Sequence, residues 1–311
     1  VPLAEPAVVV DRLVMKYGDK LAVNSLSLQV DRGTITSVLG PNGAGKTTTL
    51  ETCEGYRRPM SGSVRVLGLD PQKDRRALLP RIGVMLQSGG AWSGVRAMEM
   101  LDHIAKLHAN PLDTGMLSER LGLADCGRTP YRRLSGGQQQ RLGLAMALVG
   151  RPEVVFVDEP TAGMDPHARR TTWDLLQEMR ADGVTVVLTT HHMDEAERLS
   201  DMVHIIDHGR VIASGTPEAL TSSNHKATLR MVLPLLPDGA LQGLSAILGP
   251  DLEVSPIDDA RVQALGPADS GTLAAVARWY EHHEVLPFSL TLGQRTLEDV
   301  FLELTGREME A

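Results

Sequence analysis

Apolar and polar positions along this chain change period several times, and the changes mark its elements. Over residues 8–39 short apolar stretches alternate with polar turns, the pattern of short strands, ending in the unbroken apolar run Ile35–Leu39. Gly62-Ser63-Val64-Arg65-Val66-Leu67-Gly68 predicts a further strand bounded by glycines. Apolar runs at Ile82–Leu86, Val154–Val157 and Val184–Leu188 predict strands as well, and a helix is expected over Met193–Leu199. Between 87 and 135 the period becomes helical, with Met98, Leu101 and Ala105 on one stripe and Leu101, Ile104, Leu107 and His108 on an overlapping one.

Beyond about residue 222 the pattern continues in a second style. Strands are expected at Ala227–Leu233, Leu252–Ser255, Arg261–Leu265 and Val285–Leu292, with helices at Asp238–Leu248 and Thr272–Glu281. The order βαββαβ is that of a split-βαβ, ferredoxin-like module. A last helix starts at the capping box Thr296-x-x-Asp299 and stops at Gly306, with Leu297, Val300, Phe301 and Leu304 on one apolar stripe.

Composition narrows the picture. A chain of 311 residues with 42% hydrophobic content suits about two domains with buried cores. No run approaches the ~18 apolar residues of a membrane span, and no secretory pattern opens the sequence, so any membrane pathway is expected in another polypeptide. Cys53 and Cys126 are too few for a disulfide framework, which suits a reducing compartment. The net charge is −8, and residues 223–311 hold 6 Lys and Arg against 13 Asp and Glu. Such an acidic module is repelled by nucleic acid and anionic headgroups; dimer support or regulation is its expected work.

The chemistry starts directly after Ile35–Leu39. Gly40-Pro41-Asn42-Gly43-Ala44-Gly45-Lys46-Thr47-Thr48 matches G-x-x-x-x-G-K-[ST] in the strand–loop–helix setting that such a loop needs. Glycines let backbone N–H groups point at phosphate oxygens, and the following helix turns its positive end to the same anion. Lys46 is expected to reach the β- and γ-phosphates and the Thr47 hydroxyl to ligate Mg²⁺. A nucleoside triphosphate is the implied ligand.

A second segment, Leu134-Ser135-Gly136-Gly137-Gln138, opens a helix whose Ser and Gly-Gly amides suit another anion. The strand Val154–Val157 then ends in Asp158-Glu159, placing an acidic pair at a carboxyl end, where open α/β sheets bind ligands. With these motifs the chain resembles the ATP-binding-cassette (ABC) ATPases over roughly residues 8–220. That resemblance implies an α/β P-loop NTPase with an antiparallel β subdomain and a helical subdomain at about 88–150. Residues 1–222 would then form the nucleotide-binding domain and 223–311 a small α+β accessory domain.

The same resemblance implies roles. Tyr17 is similar to the aromatic platform under adenine, although a strand tyrosine packed in a small sheet is also open to it. Gln87 matches the residue linking Mg²⁺ and the attacking water to the transporter partner, Asp158 the Mg²⁺ carboxylate, and Glu159 the general base. His191 matches the histidine that contacts the γ-phosphate, with His192 left as a solvated residue of the following helix's first turn. Gly163-Met164-Asp165-Pro166 matches the loop that crosses to the opposite subunit, with Met164 where Leu is usual. Ser135, Gly136, Gly137 and Gln138 would face ATP held by that subunit, so a homodimer, or a heterodimer with a related ATPase, is implied.

The terminal segment Thr296–Gly306 is similar to the C-terminal extension of drug-export ATPases of the daunorubicin and tetronasin resistance type. An ATP- and Mg²⁺-dependent exporter subunit on the cytoplasmic face of a membrane is therefore expected, driving a separate permease. An importer ATPase shares every catalytic residue and stays open. A non-transport ABC protein acting on ribosomes or DNA would call for two cassettes and basic surfaces, so no nucleic-acid partner is expected. Trp92, near Gln87, is either an exposed anchor for the permease or a residue tucked under the helical subdomain.

Overall fold

Valine alternating with polar residues makes Val8–Tyr17 (β1) a half-buried strand, and Gly18-Asp19 turns it into Lys20–Val30 (β2). Both strands are longer than the short segments that the pattern suggested. The reason is bulging: register slips between Val10 and Leu13 and between Met15 and Lys16, with Arg12 and Ser25 at positive φ, break the two-residue period without ending the pairing. Ser61–Val66 (β4) pairs with the other edge of β1 to complete a three-stranded antiparallel sheet.

The structure, a computed structural model, describes residues 5–86, 92–222, 227–234, 253–258, 261–268, 270–284, 286–293 and 296–305. The chain divides into two compact units, Val1–Pro217 with Phe301–Ala311, and Glu218–Val300. In the first unit a six-stranded sheet is built from Ile35–Leu39 (β3), Ile82–Met85 (β5), Val154–Asp158 (β6), Thr185–Thr190 (β7), Met202–Asp207 (β8) and Arg210–Gly215 (β9). Its order is β5-β6-β7-β3-β8-β9, parallel except for the β8–β9 hairpin.

Strands β3, β6 and β7 are buried along their whole length, which is why they appear as continuous apolar runs. Alternate residues serve two cores. Val155, Val157, Val186 and Leu188 pack on the helical side, while Val154, Phe156 and Val187 pack with β1, β2, β4 and the helix Lys46–Cys53 (α1). Phe156 is fully buried, and a buried phenylalanine of this kind contributes roughly 2–3 kcal/mol of transfer free energy.

Ala97–Ala105 (α2), Thr114–Arg120 (α3) and Gly136–Leu148 (α4) form the helical part, joined through Leu101, Leu117, Leu142 and Leu148. The stripe expected to run on through Leu107 stops short: α2 ends at Ala105, and Leu107 is 70% exposed. Pro166–Ala181 (α5) and Met193–Leu199 (α6) flank the sheet's parallel strands in sequence. Cys53 and Cys126 are free and buried. Among the described residues no helix is long and apolar enough to cross a membrane.

In the second unit Ala227–Pro234 (β10), Glu253–Asp258 (β11), Arg261–Ala268 (β12) and Ser289–Gly293 (β13) form an antiparallel sheet of order β11-β12-β10-β13. Each expected βαβ pair thus has one strand of the other pair between its own two strands, as the split-βαβ arrangement requires. Its second helix is Ser270–His283 (α7); the first, expected over 238–248, lies outside the described residues. The last strand starts later than expected because Pro287 cannot donate to the ladder, and pairing begins with Phe288 N–H on the Val232 carbonyl at 2.7 Å.

Leu297–Thr305 (α8) has the expected capping box: Asp299 Oδ2 accepts from Thr296 N–H at 2.8 Å, and Asp299 N–H donates to Thr296 Oγ1 at 3.3 Å. Leu297, Val300 and Phe301 are buried, but Leu304, expected on the same stripe, is 49% exposed.

Candidate active site

Parallel pairing brings the carboxyl ends of β3, β6 and β7 to one edge, with Val38 beside Thr189 and Thr189 beside Asp158. The loop after β3 leaves that edge along a path only glycine permits. A Cβ on Gly40 would lie 2.2 Å from the Ile206 carbonyl oxygen, and Gly45, which caps α1, has φ +104°. Lys46, Thr47 and Thr48 then form the first turn of α1, whose positive end faces the loop.

Lys46 is buried and curls back over the loop, its Nζ donating to the carbonyl oxygens of Gly40 at 2.6 Å and Pro41 at 3.2 Å. Burial lowers its pKa, opposed by the nearby Glu159 and Asp158. Thr47 Oγ1 donates to Asp158 Oδ2 at 2.9 Å, and Thr189 Oγ1 donates to Asp158 Oδ1. Burial raises the Asp158 carboxyl above its usual range, while these two hydroxyls and Lys46 act in the other direction.

Glu159 follows β6 with φ 50°, a left-handed backbone that costs a non-glycine residue of order 1–3 kcal/mol. Its N–H is held by the carbonyl and the hydroxyl of Thr189, both at 3.1 Å. Glu159 Oε1 lies 3.2 Å from His191 Nδ1 and 4.0 Å from Lys46 Nζ. One carboxylate oxygen is thus framed by an imidazole and an ammonium.

Beside these groups lies a cavity of about 260 Å³. Asn42, Gly43, Gly45, Lys46, Thr47, Thr48 and Glu159 line it on the loop side, and Tyr17, Lys20 and Ala22 come from the β1–β2 hairpin. Tyr17, at the strand end, is 40% exposed and lines the cavity. Pro41 and Ala44 shape the loop without lining the cavity; Ala44 N–H closes a turn on the Pro41 carbonyl at 3.2 Å.

Ser135 caps α4 by a reciprocal box, with Gln138 N–H on Ser135 Oγ at 3.3 Å and Ser135 N–H on Gln138 Oε1 at 2.9 Å. Ser135 and Gly136 are exposed, and among the described residues neither they, Gly137 nor Gln138 line the cavity beside Lys46. Asp165 caps α5, its Oδ1 accepting from His167 N–H at 2.9 Å and Ala168 N–H at 3.0 Å; the bond from Ala168 is the main cause of its lowered pKa. Gln87 lies outside the described residues.

His192 departs from expectation. It is the half-buried N-cap residue of α6, not a solvated first-turn residue, and its ring centroid is 4.1 Å from that of His191. Burial, then the neighbouring His191, lowers its pKa. Trp92 is 58% exposed, its ring centroid 5.4 Å from that of His103, so it is not tucked away under the helical subdomain.

Lys20, Ala22 and Thr189 were not singled out in the sequence. Lys20 and Ala22 reach the cavity through a hairpin that sets Tyr17 opposite Lys20, a pairing without a motif. Thr189 was visible only as the residue two before His191, yet it holds both acidic residues.

Residues 23–162 match the ABC transporter family. Daunorubicin resistance ATP-binding protein DrrA3 of Streptomyces coeruleorubidus is 36% identical, the alignment covering 98% of this chain and 97% of that one. Nod factor export ATP-binding protein I of Ralstonia nicotianae is 37% identical over 98% of this chain and 95% of its own. A solved ATP-binding subunit of an ABC transporter superposes with a TM-score of 0.63 at 24% identity, covering 69% of this chain and 91% of that one, and shows the shared fold. Full-length likeness to these ATP-binding proteins, in a chain that carries the Gly40–Thr48 loop and the Leu134–Gln138 signature segment, means that it belongs to the ABC transporter ATP-binding family.

Proposed function

We propose that this chain is the ATP-hydrolysing subunit of an ABC exporter, working as a dimer on the cytoplasmic face of a membrane beside a separate permease. The observation that carries the chemistry is the placement of Glu159 Oε1 between His191 Nδ1 and Lys46 Nζ at the phosphate-loop cavity. Export is supported by the names of the two relatives, one of drug resistance and one of Nod factor export, each aligned over nearly the whole chain.

In this reading Tyr17 stacks on adenine, and the Gly40–Thr48 loop and α1 hold the triphosphate. Glu159 orients and deprotonates a water for in-line attack on the γ-phosphorus, where catalysis is mostly positioning and charge stabilisation. His191 holds the Glu159 carboxylate and reaches the γ-phosphate; Lys46 neutralises the phosphate oxygens. Ser135, Gly136, Gly137 and Gln138, together with Asp165, serve the site of the second copy.

The hydroxyl of Thr47 and the carboxylate of Asp158, already within one hydrogen bond of each other, are the hard oxygen donors that suit Mg²⁺, with Gln87 as the third. Bound there, Mg²⁺ would neutralise charge on the β- and γ-phosphates.

Phosphate release from Mg²⁺-ATP tests the reading. Glu159→Gln is expected to keep nucleotide binding and lose turnover on the order of 10²-fold or more, because the base is removed while the shape is kept. Wild-type turnover by that variant overturns the assignment.

A further inference from the structure

Tyr17 sits where a brace is needed. It ends β1 at the tip of a hairpin, its partner in the ladder is Lys20, and its ring is part of the cavity wall while 40% of the residue remains in solvent. An aromatic ring so placed has few packing neighbours to hold its orientation, and a stacking platform is only as good as the orientation it presents.

Arg57 supplies the hold. Its guanidinium carbon is 5.5 Å from the Tyr17 ring centroid, over the ring. Tyr17 lines the cavity and Arg57 is not among the residues that line it. The guanidinium is itself fixed: Nε donates to Glu51 Oε2 at 2.9 Å, and Arg57 N–H donates to the Glu51 carbonyl at 3.2 Å. Glu51 belongs to α1, the helix whose first turn carries Lys46 and Thr47. A continuous path of side chains therefore runs from the helix that grips phosphate, through Glu51 and Arg57, to the ring.

We propose that Arg57 is a positioning residue for nucleotide recognition: pinned by Glu51, it holds Tyr17 so that a nucleobase stacks on the ring's cavity face at a fixed span from the phosphate loop. The inference rests on the reading of Tyr17 as the adenine platform and names what sets that platform. The bound state is a three-layer stack of guanidinium, phenol ring and base. Arg57 touches neither base nor phosphate, so its influence reaches only the base-dependent part of binding.

Calorimetric titration of the full chain with Mg²⁺-ATP and, separately, with Mg²⁺-tripolyphosphate, which has no base, tests this. Arg57→Ala is expected to weaken ATP about two- to fivefold, the size of an exposed cation–π contact, with tripolyphosphate unchanged. Tyr17→Ala is expected to weaken ATP about tenfold, again with tripolyphosphate unchanged. In the Tyr17→Ala background Arg57→Ala has no further effect, and Arg57→Lys, which keeps a cation on a flexible stem, recovers part of the loss.

If Tyr17→Ala leaves ATP affinity intact, the platform reading itself falls. If Tyr17→Ala weakens ATP while Arg57→Ala does not, the platform stands and the positioning role is overturned. Equal losses for ATP and tripolyphosphate in Arg57→Ala overturn it too, since the residue would then act on the phosphate loop.

Discussion

His191 Nδ1 and Glu159 Oε1 face each other at 3.2 Å across the ends of two adjacent parallel strands, β7 and β6. The contact depends on register. Thr189 is level with Asp158, and its carbonyl and hydroxyl hold the Glu159 N–H, so the residue after β6 turns toward the residue two beyond Thr189. The positive φ of Glu159 is the conformational cost of that turn.

His191→Ala is therefore expected to lower ATP turnover on the order of 10²-fold, the penalty of a misplaced general base, with little change in ATP affinity. Steady-state phosphate release and equilibrium nucleotide binding, measured on the same preparation, separate the two effects. A variant that loses affinity and keeps turnover at saturating ATP would show that His191 only binds.

Much of this site was legible because its residues lie next to one another in sequence. Gly40 to Thr48 is one loop, Asp158 and Glu159 are consecutive, and His191 directly follows an apolar strand and two threonines. Local spacing encodes what a strand–loop–helix unit must do. Lys20, Thr189 and Arg57 were not legible, because each owes its place to strand pairing or to a side chain crossing between elements. The long strands β1 and β2 were obscured for a related reason: bulges at Arg12 and Ser25 scramble the alternation on which strand detection depends. In the helical part the apolar stripe ran past the true end of α2, since Leu107 is apolar but sits beyond Ala105 on an exposed turn.

Glu54 leads to a prediction about pH. It follows α1, is only 3% exposed, and its Oε2 has no hydrogen-bond partner among the described residues. Burial first, then the charges of Asp158 and Glu51, raises its pKa to about 8. The folded state then holds a proton that the unfolded chain has released above the ordinary glutamate value of 4.5. Stability from this group is full below that lower value and is lost as pH rises toward about 8, with a slope of roughly 1 kcal/mol per pH unit. Denaturant unfolding at pH 6 and pH 8 should show the fall in wild type, and Glu54→Gln should flatten it. An unchanged pH slope in the Gln variant assigns the effect elsewhere.

Two neighbours on α8 are expected to differ sharply. Phe301 is 1% exposed and Leu304 49% exposed, although both lie on the stripe that the sequence presented as uniformly apolar. Phe301→Asp buries an unpaired carboxylate and removes a large apolar side chain, at a cost of roughly 3 kcal/mol or more. Leu304→Asp is expected to stay within about 0.5 kcal/mol of wild type, as substitutions at exposed positions do. Thermal unfolding of the two variants compares them directly, and equal destabilisation would contradict the burial difference.

Assembly supplies the last prediction. Ser135 and Gly136 are exposed at the start of α4, and the described residues around the Lys46 cavity include none of the signature segment. If each cavity is completed by the segment of a second copy, Lys46→Ala spoils a site through its own loop and Ser135→Arg spoils the site of its partner. Either variant alone has two damaged sites per dimer and is expected to hydrolyse ATP at background rates. Mixed one to one, half of randomly formed dimers pair the two variants, and each such dimer joins an intact Lys46 loop to an intact Ser135 segment at one site of two. Activity should then recover to about a quarter of wild type, the share of intact sites that two-fold symmetry allows. Sedimentation of the same mixture with ATP establishes that mixed dimers form. Dimers present without recovered turnover would mean that the signature segment does not complete its partner's site, and recovery in a strictly monomeric sample would rule out the shared site altogether.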